Sequence, residues 1–176
     1  MHVAILPDQV LLGGHDLLQL RETERFLACF EKPSRQREIP MHPSGTRVAM
    51  VWDSLGFVAY EDRPDRLMSH LYLAFDTKDT PEHPRNASNS IIEINGGMVM
   101  AETLERTLPG TGATPISESN GKYFFYESDA YCVHFSFKRR ATGGRNPMTG
   151  HLVSFSFSWP KLQAVRRNHV TGANSR

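Results

Sequence analysis

Hydrophobic and polar residues alternate in several stretches of the chain, and this period of two predicts strands that bury one face. In the first half, strands are predicted at residues 4–12, 48–52, 56–60 and 69–75. In the second half, they are predicted at residues 91–94, 123–126, 131–137 and 151–159. Tight polar turns at 53–54 and 127–129 separate runs of β-branched and aromatic residues, which is typical of β-hairpins.

Two stretches have the spacing of an amphipathic helix. Phe26 and Phe30 lie four residues apart in the first half, and Leu104 and Leu108 have the same spacing in the second. Each pair predicts one apolar stripe on a helix. The helices are expected to end where residues that cannot continue a helix follow, near Pro33 and near Pro109-Gly110.

These elements occur twice in the same order, which suggests a duplication. The best-matched positions are Gly13-Gly14 with Gly96-Gly97, Glu22-Thr23 with Glu102-Thr103, Trp52 with Tyr126, and Phe57 with Tyr131. Chance similarity between two α+β stretches is the alternative. We therefore expect an α+β fold of two tandem β-α-β-β-β repeats, with mostly antiparallel sheet and one helix per repeat. The expected boundaries are 1–80 for the first repeat, 90–160 for the second, and 161–176 for a basic, partly disordered tail.

The composition narrows the class of protein. The 176 residues are 39% hydrophobic and 22% charged, as expected for one globular unit. The formal net charge of +1 argues against a general nucleic-acid binder. The sequence has no apolar run long enough to span a bilayer and no segment typical of a secretory signal. We expect a cytoplasmic protein that contacts neither membrane nor nucleic acid directly.

Candidate catalytic and metal-binding motifs are weak. The eight histidines are scattered without the spacing of metal ligands, so no metal and no cofactor are expected. Cys132 and His134 would share one face of a strand, but ordinary sheet packing is favoured over a Cys–His dyad. A basic loop around Gly143-Gly144 lacks the pattern of a phosphate-binding loop. No catalytic residue is predicted.

Acidic and aromatic residues gather around the first hairpin and at the matching place in the second half. Aromatic anchors within a charged rim are typical of protein interfaces, although an ordinary solvated turn has the same composition. Carboxylates here could oppose a basic cleft on a partner, as the inhibitor of a nucleic-acid-cleaving toxin requires. The candidate partner-binding residues are Trp52, Asp53, Tyr60, Glu61, Asp62, Asp65, Tyr126, Glu127 and Asp129.

The first hairpin also carries a family resemblance. The segment WDSLGFVAYEDRPDRLMSHLYLAFD resembles one found in small bacterial proteins of polymorphic-toxin and type VI secretion loci. The resemblance covers about residues 48–76 and is looser in the helical portion. It implies an immunity protein that binds a cognate secreted toxin without catalysis. The second half departs from it, with Ser128-Asp129-Ala130 where Ser54-Leu55-Gly56 stands, so one repeat alone could carry the recognition surface.

Two other functions are compatible with the sequence. One is an enzyme or small-ligand module with a pocket between the repeats, lined by Cys132, His134, Arg139 and Arg145. The other is an effector chaperone or adaptor, which would leave the active site of the toxin free. The missing catalytic motifs and the resemblance favour the immunity protein. The oligomeric state is not predicted.

Overall fold

A computed structural model gives the fold of the chain. It describes residues 1–41, 43, 45–77, 80–103, 114–118, 121–127, 131–137 and 151–159. For residues 114–118 and 121–127 it describes the backbone alone. The basic loop around Gly143-Gly144 and the predicted tail at 161–176 lie outside the described residues.

Short strands dominate the described chain. They are β1 (His2–Leu6), β2 (Gln9–Leu12), β3 (His15–Asp16), β4 (Arg35–Pro40), β5 (Thr46–Trp52), β6 (Phe57–Arg63), β7 (Leu67–Ala74), β8 (Ile91–Ile94), β9 (Gly97–Val99), β10 (Thr114–Glu118), β11 (Gly121–Glu127), β12 (Cys132–Phe137) and β13 (Leu152–Ser158). A 3-10 turn (Leu17–Leu20) and the helix α1 (Thr23–Cys29) lie between β3 and β4.

The prediction of a mixed α+β fold with mostly antiparallel sheet is confirmed. The smaller sheet has the order β3-β2-β1-β8-β9, in which β1 and β8 are parallel. The larger sheet has the order β10-β11-β12-β13-β7-β6-β5-β4, and its neighbouring strands are all antiparallel. Within the described ranges, α1 is the one α-helix.

One hydrophobic core takes side chains from both sheets. The smaller sheet contributes alternate residues such as Val3 and Ile5, and the larger sheet contributes Met50, Phe155 and Phe157. All five are no more than 2% exposed. Alternation along each strand sends every second side chain to this core, which is why the period of two predicted most of the strands.

Several sequence predictions need correction. The strand predicted at 4–12 is two strands, because a turn at Pro7-Asp8 separates β1 from β2. Phe30 lies one residue beyond α1 in extended conformation. Strands β3, β4, β9 and β10 were not predicted. Of the second predicted helix, residues 101–102 form a turn and residues 104–113 lie outside the described part of the chain.

Two hairpin turns in the smaller sheet have similar backbones. Gly13 and Gly14 have φ of +59° and +87°, and Asn95 and Gly96 have +49° and +77°. Both turns join strands through a two-residue loop, since Leu12 pairs with His15 and Ile94 pairs with Gly97. Positive φ at both central residues is the requirement of a type I′ turn. The position that matches Gly13-Gly14 is therefore Asn95-Gly96, one residue before the predicted match at Gly96-Gly97.

The segment that joins β7 to β8 packs on the larger sheet. We call residues 80–90 the strap. Arg35 donates to the carbonyl of His83, and the Arg37 guanidinium lies 2.8 Å from Glu82. The ring of His83 in the strap lies 5.4 Å from that of Tyr72, which packs against a small apolar cluster of Ala49, Val51 and Val58. The strap is thus held against strand β4 of the larger sheet before the chain continues into β8 of the smaller sheet.

Candidate protein-binding surface

Trp52 is a core residue. Its side chain is 1% exposed and stacks on Phe57 with 4.5 Å between ring centroids. Its indole N–H donates to the carbonyl of Glu31. The aromatic residue that the sequence suggested as a surface anchor thus contributes to packing.

Asp53 lies far from the other predicted acidic residues. It follows β5 at one end of the hairpin, where its carboxylate accepts from the N–H of Arg85 at 2.7 Å and pairs with Arg35 at 3.2 Å. Asp62 is the cross-strand partner of Arg47, and Arg47 precedes Trp52 by five residues in β5. At about 3.4 Å per residue, this places Trp52 about 17 Å from the row of Asp62 along the strands, and Asp53 lies beyond Trp52. Asp53 holds the strap, and it does not share a patch with Asp62.

The candidates from the second half lie on a different part of the sheet. Tyr126 and Glu127 end β11, which is five strands from β5 in the sheet order. With about 4.8 Å between neighbouring strands, the separation is about 24 Å. Through the register of the ladders, Glu127 lies in the same row as Ala49, so the ends of β5 and β11 are also offset by three residues, about 10 Å along the strands. Asp129 and the side chains of Tyr126 and Glu127 lie outside the described part of the structure.

A chain of ion pairs occupies the remaining region, at the end of β6. Glu61 is 3% exposed. Its carboxylate lies 2.9 Å from Nε of Arg63 and 3.9 Å from Nε of Arg66. Arg63 continues to Glu38 at 3.2 Å, and Arg66 continues to Glu24 at 3.1 Å. One buried carboxylate therefore positions two arginines, and each arginine reaches an exposed glutamate.

A second ion pair lies beside this chain, on the outer face. Nε of Arg47 donates to Oδ1 of Asp62 at 2.7 Å, across the β5–β6 ladder. Asp65 is exposed in the turn that follows β6. We call this group the carboxylate rim: Glu24, Glu38, Arg47, Glu61, Asp62, Arg63, Asp65 and Arg66. Its five carboxylates exceed its three guanidinium groups, which leaves a net charge of −2.

A shallow cleft opens next to the rim. It is lined by Glu22, Thr23, Glu24 and Arg66, and its volume is about 120 Å³. Thr23 forms one side of the cleft, and its side chain is held in place because the hydroxyl donates to the carbonyl of Arg66 at 2.8 Å. The carboxylates of Glu22 and Glu24 border the cleft, and each is paired with an arginine, Glu22 with Arg25 and Glu24 with Arg66, both at 3.1 Å.

Tyr60 lies half-buried on the outer face beside the rim. Burial raises the pKa of its phenol above 10.0, the nearby Glu82 and Tyr72 raise it further, and Arg47 opposes the rise. The Arg47 guanidinium lies 5.9 Å from the centre of the ring. Tyr60 is thus an aromatic side chain held between charged groups on the surface of the sheet.

We expect the phenol of Tyr60 to lose its proton at a higher pH than an ordinary tyrosine. Comparison with Tyr60→Phe separates its titration from that of the other tyrosines. The difference in absorbance at 295 nm between wild type and variant should have its midpoint above pH 10. Because the unfolded chain gives up this proton first, the free energy of unfolding of the wild type should fall from about pH 10 up to the raised pKa. The variant should lack this loss. A midpoint at or below 10 would contradict the burial of this ring.

Three of the five rim carboxylates, those of Glu61, Asp62 and Asp65, were predicted from the sequence. The other two, on Glu24 and Glu38, and the three arginines were not. Arg47 could have been inferred as the cross-strand partner of Asp62, since opposite charges pair directly across an antiparallel ladder. Glu24 and Arg66 are 42 residues apart, and no local signal joins them.

Other candidate chemistry is limited within the described residues. No group of three or more His, Cys, Asp or Glu side chains there is placed to hold a metal ion. Of the alternative pocket, Cys132 and His134 lie on β12, while Arg139 and Arg145 fall outside the described ranges. No helix in the described part of the chain has the length and apolar character that crossing a bilayer requires.

Comparison with protein-family models, curated proteins and solved structures finds no significant match to this chain. The resemblance of residues 48–76 to immunity proteins therefore stays a prediction.

Proposed function

We propose that this protein is an immunity protein, which binds a cognate secreted bacterial toxin in the cytoplasm and neutralises it without catalysis. The observation that carries the proposal is the carboxylate rim, in which buried Glu61 positions two arginines and, through them, two exposed glutamates. The rim lies within or beside the segment that resembles immunity proteins, in residues 48–76.

The rim has properties that favour protein binding. Arg63 and Arg66 are ordered by Glu61 before a partner arrives, so less side-chain freedom is lost on association. The excess of two negative charges favours a basic surface, and exposed carboxylates increase the association rate at low salt. At the cleft, a lysine or arginine of the partner would compete with Arg25 and Arg66 for the exposed carboxylates of Glu22 and Glu24. A toxin that acts on nucleic acid or nucleotides presents such a basic surface around its active site.

We also propose that the chain is a tandem repeat. In the larger sheet, β4 to β7 and β10 to β13 have mirrored order, and the last strands of each set, β7 and β13, pair at the centre. Two related hydrogen bonds extend this ladder, from the N–H of Phe75 to Val153 at 2.8 Å and from the N–H of Trp159 to Ser69 at 3.1 Å. The paired type I′ turns of the smaller sheet support the same relation.

The binding proposal predicts a charge-specific loss of protection. Cells that express the product of the neighbouring gene should survive when the wild-type protein is co-expressed. The double variant Glu24→Lys/Asp65→Lys should lose most of this protection, because it reverses two exposed rim charges without touching the core.

The matched control is Asp8→Lys/Glu93→Lys. It makes the same change in net charge at exposed positions of the smaller sheet, and it should protect like the wild type. Equal loss in both variants, or no loss in the rim variant, would contradict the role of the rim. Failure of the wild type to protect cells or to bind the neighbouring product would contradict the immunity function itself.

A further inference from the structure

Cys132 and His134 form a close pair on the outer face of the larger sheet. In β12, Val133, Phe135 and Phe137 are at most 2% exposed and point into the core. The alternating Cys132 and His134 therefore face outward. Sγ of Cys132 lies 3.3 Å from Nε2 of His134, and the imidazole is exposed while the thiol is partly exposed.

The neighbouring strand leaves this pair accessible. Cys132 pairs with Ser158 and His134 pairs with Ser156 across the β12–β13 ladder. Both neighbours are small, so they do not cover the sulfur as a larger side chain would. A partly exposed thiol beside an imidazole is the environment in which cysteines react, because the thiolate is the nucleophile and the imidazolium stabilises it.

Cys29 provides an internal comparison. It is the last residue of α1 and packs against the hydrophobic core. Among the described contacts, the pairing of sulfur with imidazole is found at Cys132. The two cysteines of this chain thus differ in the feature that governs thiol reactivity.

We propose that Cys132 is a modification site, a thiol activated by His134 that reacts with hydroperoxides. The proton of Sγ moves to Nε2 of His134, and the thiolate attacks one oxygen of hydrogen peroxide. The S–O bond forms as the O–O bond breaks, which oxidises the sulfur to a sulfenic acid and reduces the peroxide. The leaving hydroxide takes the proton from the imidazolium and departs as water.

The titratable groups around the pair are few on the described strands. His134 shares β12 with the thiol, β13 presents serines, and His70 of β7 lies beyond Ser158 in the same row. On β11, Glu127 is the register partner of Cys132. The proposal assigns the proton transfer to His134, because it is the imidazole within hydrogen-bond distance.

The test uses the full chain without any partner, so its outcome is independent of the immunity function. The reduced protein is treated with hydrogen peroxide in the presence of dimedone, and the labelling of each cysteine is followed by peptide mass spectrometry. We expect Cys132 to react about tenfold faster than Cys29 at pH 7. In His134→Asn, Cys132 should slow about tenfold while Cys29 is unchanged. Equal rates, or an unchanged rate in His134→Asn, would overturn the proposal.

A second measurement covers the case in which His134→Asn alters the fold, as judged by circular dichroism. Alkylation of wild-type Cys132 by iodoacetamide is measured from pH 5 to 10. The rate should persist well below pH 8.5, the ordinary midpoint of a thiol. A midpoint for Cys132 at or above about 8.5 would contradict activation by His134.

Discussion

Gly56→Ala is expected to reduce the free energy of unfolding by about 3 kcal/mol, from strain and overlap together. Gly56 has φ of +69°, a conformation that costs other residues about 1–2 kcal/mol. A Cβ there would lie 2.4 Å from the backbone nitrogen of Ser88 in the strap. That nitrogen donates to the carbonyl of Ala74 at 2.6 Å, and the N–H of Ala74 donates to Gly56 at 3.0 Å. The overlap therefore cannot be relieved without disturbing the contact between strap and sheet.

Gly14→Ala separates the two contributions. Gly14 has φ of +87°, but a Cβ there would meet nothing within 4 Å. This variant should lose only the conformational part, about 1–2 kcal/mol. Urea unfolding of both variants measures the difference. Equal losses in the two variants would show that the strap does not approach Gly56 as closely as described.

Trp52→Ala is expected to cost about 4 kcal/mol of stability, the usual range for a large aromatic residue removed from a core. The indole stacks on Phe57 and contacts the edge of Phe26 at 5.9 Å between centroids. Trp52→Phe should cost about 1–2 kcal/mol, since it leaves the carbonyl of Glu31 without its donor. Thermal or urea unfolding measures both losses.

The control for Trp52 is an exposed apolar residue. Met98 is 63% exposed, and Met98→Ala should change stability by no more than about 0.5 kcal/mol. If Trp52→Ala folded as stably as the wild type and only partner binding fell, Trp52 would be the surface anchor that the sequence suggested. The burial of its ring would then be wrong.

Most strands of the core could be predicted from the sequence, because burial of one face imposes an alternation of apolar and polar residues. Residues 131–137 and 153–159 show it clearly, and they form or extend strands of the larger sheet, whereas residues 48–52 are apolar throughout and buried on both faces. Strand β4 was missed because its sequence, RQREIP, is charged and ends in proline. Such residues protect the edge of a sheet from further pairing, and they leave no hydrophobic pattern to detect.

The candidate surface could be predicted from the sequence only in part. Three of its acidic residues, Glu61, Asp62 and Asp65, cluster in the chain, so composition alone drew attention to them, whereas Glu24 and Glu38 lie elsewhere in the sequence. Arg63 and Arg66 come from the same stretch as the three acidic residues, but their pairing depends on how α1, β4 and the end of β6 meet. The distance between Asp53 and Asp62 likewise follows from the hairpin register, which composition does not reveal. Clustering in the sequence therefore placed Asp53 in a patch to which it does not belong. It also missed the arginines that pair with the carboxylates of the rim.

The most direct test of the central claim is the rate of association with the purified product of the neighbouring gene, measured by stopped-flow at several salt concentrations. For the wild type, the rate should fall steeply as salt increases. Glu24→Lys/Asp65→Lys should associate at least about tenfold more slowly at low salt and lose most of the salt dependence. Asp8→Lys/Glu93→Lys should behave like the wild type. The account would be contradicted if the rim variant kept the wild-type rate and salt dependence, or if both variants slowed equally.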